Sequence, residues 1–370
     1  MDLDTTQTAN LDDVAHFNLE VQRYYFLVFY GTEMKRSLFK AFLFTNISSY
    51  ICNCGGWETI DFIHQITANT RTMSNVVISE CPICGSNKIE KRFDCEDYFS
   101  SSEMFPISDC LQCGFRLTNH FPPEERIGNY YDTANYISHS DSDKGVTNKL
   151  YQLFRRIMLR RKVRLVKRFT NHIEPELLDI GCGTGHFLQT ARAAGFRVTG
   201  IEKSSMAREK AHSLFNLDVL EDLDHFIPEH SFEVITLWHV LEHLEKLNES
   251  IAKISSILAQ EGTLVVALPN HHSYDAEVYG KQWAAYDVPR HLWHFTSETV
   301  EQLMLKHGMR VVKRYRMPLD AFYISLVSES YKGSSPWSRF PKAFLKGMTG
   351  YLLSLFDLKQ SSSIIYIIKK

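Results

Sequence analysis

Three glycines at alternate positions follow a short apolar segment near the middle of the chain. Residues 177–180 include Asp179 and are followed by Gly181, Gly183 and Gly185. Glycines at this spacing let the backbone bend sharply and approach a ligand closely. The residues that follow predict a helix whose first N–H groups point back at that ligand. The sequence therefore predicts a strand, a turn and a helix that hold a polar small molecule.

The loop departs from the dinucleotide-binding fingerprint, in which the third glycine would stand where this chain has His186. Cys182 lies inside the loop, so we expect it to contact the ligand. A second predicted strand, 198–202, ends at Glu202. A carboxylate about 20 residues after the loop can bind both hydroxyls of a ribose. These positions predict a ligand that contains a ribose.

Two later segments complete the pattern. Residues 232–243 predict a strand, a turn and a helix, and residues 262–270 predict a strand that begins at a glycine. Together with the loop and Glu202, these elements resemble the class I S-adenosylmethionine-dependent methyltransferases. The similarity is to the small-molecule branch that includes the ubiquinone-biosynthesis O-methyltransferases. In this family the donor loop passes under the amino-acid end of the cofactor.

The resemblance implies an α/β fold, a doubly wound, Rossmann-like sheet of seven strands in which the last runs antiparallel between the fifth and the sixth. It also implies S-adenosylmethionine as cofactor and a set of binding residues. Asp179 and the loop from Gly181 to Gly185 would hold the methionine part, and Glu202, where the family often has Asp, the ribose. Asp222 and Leu223 would flank the adenine, and Trp238 would pack against the cofactor.

Methyl transfer from a sulfonium requires alignment of the acceptor and, for a hydroxyl, removal of a proton. His239 and His243 lie where the fourth strand meets its helix. His291 lies in 286–295, which resembles a W…D-x-P-R-H-x-x-H-F segment of a bacterial subgroup of these enzymes. We expect Asp287 to orient a histidine that accepts a proton near neutral pH. Each histidine could equally cap a helix or bridge backbone groups, and both interpretations stay open.

Two C-x-x-C pairs, Cys81 with Cys84 and Cys110 with Cys113, precede the catalytic segment. Each pair places two thiolates on one tight turn, and two such turns predict a tetrahedral Zn²⁺ site. Cys95, between the pairs, is expected to be a core or surface thiol. The zinc ion would stabilise a module too small for its own core, or it would lie beside the substrate.

Residues 144–170 contain ten Lys or Arg and no Asp or Glu, with apolar residues at helical spacing. This predicts a basic helix that packs on the catalytic domain, or one whose basic face meets acidic lipid headgroups or an anionic acceptor. Residues 318–360 exceed the usual connection between two strands. We expect a helical lid over the acceptor there, alone or in contact with a membrane surface.

The predicted domains are a poorly ordered extension (1–72), a zinc ribbon (73–125), a linker with the basic helix (126–170) and the catalytic domain (171–370).

A hydrophobic content of 44% and a charged content of 23% are typical of a globular protein. No apolar run approaches the roughly 18 residues of a membrane span, and the acidic N-terminus is unlike a signal peptide. Eight cysteines, four of them in C-x-x-C pairs, indicate a reducing compartment. We expect a cytoplasmic protein that could lie at the inner membrane face.

Three functions stay open at this point. The first is methylation of a small-molecule or lipid- or sugar-linked acceptor, on oxygen or else on carbon or nitrogen. The second is RNA methylation, with the zinc ribbon and the basic helix as a clamp. A net charge of −2 argues against extensive nucleic-acid binding, and residues 237–240 lack the D/N-P-P-Y/F motif of base methylation. The third is a non-catalytic scaffold, which the intact loop, Asp179 and Glu202 argue against. The pattern does not predict an oligomeric state.

Overall fold

The computed structural model describes residues 75–131 and 146–370, with side chains in the second range from residue 155 onward. The predicted extension, residues 1–72, lies outside these ranges. Residues 76–131 and 154–370 form one compact unit. In chain order the strands are β1 (Ile89–Glu96), β2 (Met104–Cys110), β3 (Arg116–Thr118), β4 (Glu176–Ile180), β5 (Arg197–Ile201), β6 (Val219–Leu220), β7 (Phe232–Trp238), β8 (Leu258–Pro269), β9 (Trp293–His294), β10 (Arg310–Arg316) and β11 (Ser363–Lys369). The helices are α1 (Glu124–Ile127), α2 (Val146–Lys167), α3 (His186–Arg192), α4 (Ser205–Phe215), α5 (Leu247–Ile257), α6 (Tyr274–Tyr279), α7 (Ser297–Lys306), α8 (Asp320–Tyr331) and α9 (Pro336–Phe356).

A seven-stranded sheet carries the catalytic part, in the order β10-β11-β8-β7-β4-β5-β6. The neighbours from β8 to β6 pair in parallel, whereas β11 pairs antiparallel with both β8 and β10. The predicted doubly wound fold is therefore confirmed, and so is the antiparallel position of the last strand between the fifth and sixth strands of this sheet.

Helices cover both faces of this sheet, so its central strands are apolar throughout rather than alternating. Successive side chains of a strand point to opposite faces, and the central strands thereby supply two cores. Leu178, Ile235 and Leu264 pack with α5 and α7, whereas Leu177, Val234 and Val265 pack with α2 and α3. These buried cores hold the carboxyl ends of β4, β5, β7 and β8 along one edge, where the candidate site residues lie.

A second, antiparallel sheet has the order β1-β2-β3-β9. The predicted cysteine pairs flank its first strands, and the four cysteines converge. Its last strand was not predicted, because β9 comes from the segment 286–295, far along the chain. In that strand Trp293 pairs with Leu117 and His294 with Arg116. The candidate catalytic segment is thus an integral part of the small sheet.

The helix predicted after β7 begins later than expected. A single 3-10 turn, Leu241–His243, follows β7, and α5 begins only at Leu247. The reason is hydrogen bonding with residues far along the chain. The carbonyl of Glu242 accepts the N–H of Leu292 (2.8 Å) and that of Leu244 accepts the indole N–H of Trp293 (2.6 Å), so these carbonyls are not available to a helix. The insertion 318–360 contains α8 and α9, as expected.

Candidate active site

The glycine loop after β4 has the geometry of a ligand-binding turn. Gly181, Gly183 and Gly185 all have positive φ, which L-residues with a side chain rarely adopt. A Cβ on Gly185 would meet Leu217 Cδ1 at 2.8 Å, whereas no atom lies within 4 Å of a Cβ on Gly183. Gly185 is therefore needed for packing, and the backbone at Gly183 faces open space that a ligand can occupy. Cys182 is buried beneath the loop.

Glu202, directly after β5, braces this loop. One carboxylate oxygen accepts the backbone N–H of Gly183 at 2.9 Å, and the other accepts the N–H of Ser204 at 2.9 Å. The carboxylate thus lies beside the glycine turn, as the spacing in the sequence predicted. Its position suits a residue that binds a ribose hydroxyl next to the loop.

Asp179 lies at the end of β4 and is only 2% exposed. The hydroxyl of Thr236 donates to its carboxylate at 2.5 Å. Burial raises the pKa of Asp179 to about 7, although the Thr236 hydrogen bond and the nearby Lys162 both favour the charged form. A buried carboxylate of this kind can bind a cationic group of a ligand, because the positive charge would favour the ionised form of the carboxylate.

Lys162, which the sequence analysis did not single out, lies beside the candidate site. It belongs to the basic run predicted as a helix, yet its ammonium lies 4.3 Å from the ring centroid of Trp238, and burial lowers its pKa. Trp238 in turn meets Phe187 of α3 edge to face, with ring centroids 5.5 Å apart. The end of β7 is thus lined by an indole and a cation next to Asp179.

The residues expected to flank an adenine follow β6. Leu223 is buried, whereas the Asp222 carboxylate contacts His225, a residue close by in the sequence. It accepts the backbone N–H of His225 at 2.8 Å and lies 3.0 Å from its ring Nδ1. The structure therefore places both residues near the end of the third strand of the sheet, with only Leu223 facing the interior.

His239 follows β7 with a left-handed backbone (φ 59°) and lies between two carboxylates. Its Nε2 is 3.2 Å from Asp320 at the start of α8, and its Nδ1 is 3.4 Å from the fully buried Glu242. Burial alone would lower the pKa of His239, but the neighbouring carboxylates of Asp320 and Glu242 raise it to about 9. The imidazole is therefore cationic at neutral pH and connects β7 to the insertion.

His243 and His291 are brought together, with ring centroids 4.5 Å apart. Because a carbonyl only accepts, Nδ1–H of His291 donates to the carbonyl of Ala285 (2.8 Å), and Nδ1–H of His243 donates to that of Arg290 (3.0 Å). These bonds leave Nε2 of both rings as proton acceptors. Burial, reinforced by the neighbouring His291, lowers the pKa of His243 to about 4.

Asp287, expected to orient a histidine, is held mainly by Arg290. The guanidinium donates to Asp287 at 2.7 Å and to Asp97 at 2.8 Å, whereas His291 Nε2 is 3.9 Å from Asp287, beyond hydrogen-bond length. Burial would raise the pKa of Asp287, but the charge of Arg290 lowers it. Since Asp97 follows β1, this ion pair joins the small sheet to the histidines.

The four cysteines fit a tetrahedral metal site. Cys81 and Cys113 have their sulfurs 3.6 Å apart, and so do Cys84 and Cys110. Zinc–sulfur bonds of about 2.3 Å require sulfur–sulfur separations of roughly 3.8 Å. Cys95 is buried elsewhere, and its thiol donates to the carbonyl of Lys281 at 3.3 Å, as expected of a core thiol.

A cavity of about 550 Å³ lies between the small sheet and the segment that follows β8. Arg92 and Arg116 line it on one side, and His271, Tyr286 and Lys359 on others. His271 is buried, and neither ring nitrogen has a hydrogen-bond partner in the described residues. Charged, polar and apolar side chains line this cavity together, and His291 is not among them.

A family model for a methyltransferase domain matches residues 151–314. A ubiquinone biosynthesis O-methyltransferase of Rhodopseudomonas palustris (strain HaA2) is 26% identical over 153 residues, covering 37% of this chain and 59% of the relative. The one from Saccharophagus degradans is 28% identical over 127 residues, covering 32% and 54%. The chain thus spans less than two thirds of the length of these curated relatives.

Solved structures show weaker similarity. Magnesium protoporphyrin IX methyltransferase from Synechocystis PCC 6803, with bound SAH, has a TM-score of 0.44 at 13% identity and covers 67% of this chain and 100% of that one. The cyclopropane synthase MmaA2 of Mycobacterium tuberculosis has a TM-score of 0.40 at 17% identity and covers 57% and 83%. The strand order of this chain and the family model together establish the methyltransferase fold that the sequence predicted.

Proposed function

We propose that this protein, whose residues 151–314 form a class I S-adenosylmethionine-dependent methyltransferase domain, methylates an oxygen atom of a small or lipid- or sugar-linked acceptor. One observation supports this most directly. The imidazoles of His243 and His291 lie 4.5 Å apart, and carbonyls hold both Nδ1 atoms, which leaves both Nε2 atoms as proton acceptors. His243 comes shortly after β7, the strand that pairs with β4 ahead of the glycine loop. An oxygen acceptor also agrees with the O-methyltransferases among the relatives.

On the donor side, bound S-adenosylmethionine supplies an activated methyl group on a sulfonium. Glu202 would hold its ribose, and the loop from Gly181 to Gly185 would pass under its amino-acid end. Asp179 would accept from the ammonium of that end, at a position where Thr236 already fixes the carboxylate. These residues bind and align the donor, and alignment provides much of the rate of such a displacement.

On the acceptor side, the chain must remove the hydroxyl proton. We assign this to Nε2 of His291, because the carbonyl of Ala285 fixes its ring through Nδ1. His243, whose pKa of about 4 keeps it uncharged at neutral pH, packs against that ring and orients it. His239 is cationic at neutral pH, so it is unsuited as a base and instead positions Asp320 and Glu242.

The cysteine cluster would hold a structural Zn²⁺. The sulfur separations of 3.6 Å match a tetrahedral ion. Phe115, beside this cluster, packs against Trp293 and Phe295, and β3 pairs with β9. The ion would thereby hold the segment that carries His291 without contacting the acceptor.

The test uses the full chain with methyl-labelled S-adenosylmethionine and a panel of phenols and catechols, free, prenylated or glycosylated. We expect label transfer to a hydroxyl, and His291→Gln to lower kcat by roughly 100-fold or more while the Kd for S-adenosylhomocysteine stays unchanged. His272→Gln, a histidine outside the cluster, is the matched control and should retain activity.

Three outcomes would contradict the proposal in whole or in part. If total RNA accepts the label and binding weakens steeply with salt, the protein is an RNA methyltransferase. If S-adenosylhomocysteine does not bind and Glu202→Ala changes nothing, the donor site is wrong. Label found on nitrogen or carbon would correct the acceptor atom and leave the donor site standing.

A further inference from the structure

Helix α9 has an unusual distribution of side-chain sizes between its two faces. The face turned to the protein carries small residues, among them Ala343, Gly347 and Gly350. A Cβ on Gly347 would lie 2.8 Å from Cα of Phe322 in α8, so the two helices are in close backbone contact. The buried face of α9 therefore provides tight packing with little apolar side-chain area.

The large apolar side chains of α9 lie on the opposite, open face. Trp337 is 86% exposed and Phe356, at the other end of the helix, is 92% exposed. Between them the exposed apolar residues recur at helical spacing as Phe340, Phe344, Leu345, Leu352 and Leu355. A surface helix normally buries such a stripe and exposes polar residues. A contiguous exposed apolar stripe of this length marks an interaction surface.

The charged residues of α9 have one sign, and Lys342 among them is exposed. Within α9 the charged residues are Arg339, Lys342 and Lys346, and the helix contains no acidic residue. Lys346 pairs with Glu329 of α8 at 2.6 Å and fixes the helix, while Lys342 is exposed beside the apolar stripe. Lys332, four residues before the helix, is exposed as well, whereas Arg339 is buried. A ligand for this face should therefore be apolar and anionic at once.

We propose that the open face of α9 binds the surface of a membrane that contains anionic phospholipids. The helix would lie in the interface plane, with Trp337 and the phenylalanines among the acyl chains and the lysines at the headgroups. The described residues contain no helix that is long and apolar enough to cross a membrane, which agrees with a helix that lies flat. A second copy of the chain would bring two sets of lysines together, so charge disfavours a face-to-face dimer.

The position of the open face of α9 relates it to the acceptor, and this step rests on the proposed function. The first residue of α8, Asp320, pairs with His239 at the end of β7, and α9 packs along α8. A membrane held by α9 would thus lie on the same helical hairpin that reaches the acceptor side of the site. We infer that the acceptor is an amphiphile that resides in the bilayer.

The experiment measures co-sedimentation of the full chain with vesicles of phosphatidylcholine alone and of phosphatidylcholine mixed with phosphatidylglycerol. We expect binding to the anionic vesicles and roughly tenfold weaker partitioning for the triple variant Trp337→Ser, Phe344→Ser, Leu345→Ser. The matched control is Ile227→Ser with Leu305→Ser, which removes exposed apolar residues elsewhere and should bind as the wild type. Lys342→Glu should weaken binding to anionic vesicles only.

Circular dichroism and the Kd for S-adenosylhomocysteine should be unchanged in the triple variant, which separates this proposal from the donor site. Equal binding of wild type and triple variant would overturn the proposal, and so would equal binding to neutral and anionic vesicles. A dimer in solution that the triple variant abolishes, without vesicle binding, would assign the face to a second copy. If vesicles bind but do not raise turnover of a prenylated acceptor, the surface stands and the bilayer-resident acceptor does not.

Discussion

At the level of single residues, the proposed role of Asp179 predicts that cofactor binding depends on pH. Its carboxyl is buried, which raises its pKa to about 7, so without a ligand it is partly protonated in neutral solution. The positively charged amino group of the cofactor would favour the ionised form and release the proton. Binding should therefore depend on pH near the pKa of this carboxyl.

We expect the affinity for S-adenosylhomocysteine to fall as the pH drops below about 7, approaching roughly tenfold per pH unit for one linked proton. Calorimetry between pH 5.5 and pH 8, in buffers of different ionisation enthalpy, measures both the affinity and the released proton. Asp179→Asn should bind more weakly and lose the pH dependence. The same slope in that variant would show that another group carries the proton.

His239 makes a prediction about stability. Its pKa in the folded chain is about 9, above the ordinary value of 6.5, because Asp320 and Glu242 hold the charged form. A folded-state pKa above the unfolded one means that the stabilisation is fully present below about pH 6.5 and is lost as the pH rises through about 9. The imidazole is partly exposed, so solvent weakens the effect.

We expect the free energy of unfolding to fall by on the order of 1–2 kcal/mol between pH 6.5 and 9.5 in the wild type. His239→Gln should be less stable at the lower pH and should show a much flatter dependence. Urea titrations at several pH values test this, with His172→Gln, an exposed histidine away from the candidate site, as control. A parallel fall in wild type and His239→Gln would mean that the imidazolium does not stabilise the fold.

These residues also show what the sequence could predict. Asp179, Glu202 and the glycines lie within one strand–loop–helix unit and the next strand, so their spacing alone predicts that they meet. His239 was a candidate, but its partner Asp320 comes from an insertion far along the chain. No local pattern links the two residues. The same holds for Lys162, which looked like one basic residue among ten between 144 and 170.

At the level of elements, the donor loop contains two glycines that should respond differently to the same change. Gly185 is enclosed, with Leu217 Cδ1 at 2.8 Å and Ala211 Cβ at 3.1 Å from a Cβ placed there. Gly183 has open space around that position. Both have positive φ, which costs a residue with a Cβ roughly 1–2 kcal/mol. Only the added contact distinguishes the two positions.

We therefore expect Gly185→Ala to lower the free energy of unfolding by about 2–4 kcal/mol, since strain and overpacking add. Gly183→Ala should cost about 1–2 kcal/mol and weaken S-adenosylhomocysteine binding by roughly tenfold or more, because its methyl group enters the ligand space. Urea denaturation and calorimetry measure the two effects separately. Wild-type binding by Gly183→Ala would place the ligand away from this loop.

The extent of the elements was largely predictable, and the exceptions have a common cause. Buried parallel strands are continuous apolar runs between turns, so β4, β5, β7 and β8 were found from composition and pattern. The 3-10 turn between β7 and α5 was not predicted, and neither was the two-residue strand β9. Both depend on hydrogen bonds with distant partners, such as Leu292 N–H to Glu242 and the pairing of Trp293 with Leu117.

At the level of the whole molecule, the small sheet and the catalytic sheet depend on each other. Arg290 lies in the candidate catalytic segment 286–295 and is almost fully buried, and it donates to Asp97 of the small-sheet region at 2.8 Å. Thr118 of β3 donates to the carbonyl of His291 at 2.6 Å. The cysteine cluster fixes the turns that lead into β1 and β3. Disorder in these turns would therefore change the position of His291 through the contacts of Asp97 and Thr118.

We expect one Zn²⁺ per chain by elemental analysis and a melting temperature lower by roughly 10 °C after chelation, which corresponds to several kcal/mol for a unit of this size. Turnover should fall more than S-adenosylhomocysteine binding, because the small sheet carries the acceptor segment through β9, whereas the donor loop follows β4. Cys84→Ser should reproduce the chelated state. Cys95→Ser is the control, since its thiol lies outside the cluster and donates to the carbonyl of Lys281, and it should keep the zinc.

If chelation abolishes donor binding as strongly as turnover, the zinc stabilises the whole compact unit rather than the acceptor segment. Recovery of turnover on adding Zn²⁺ back, with donor affinity nearly constant throughout, would assign the ion to the positioning of His291.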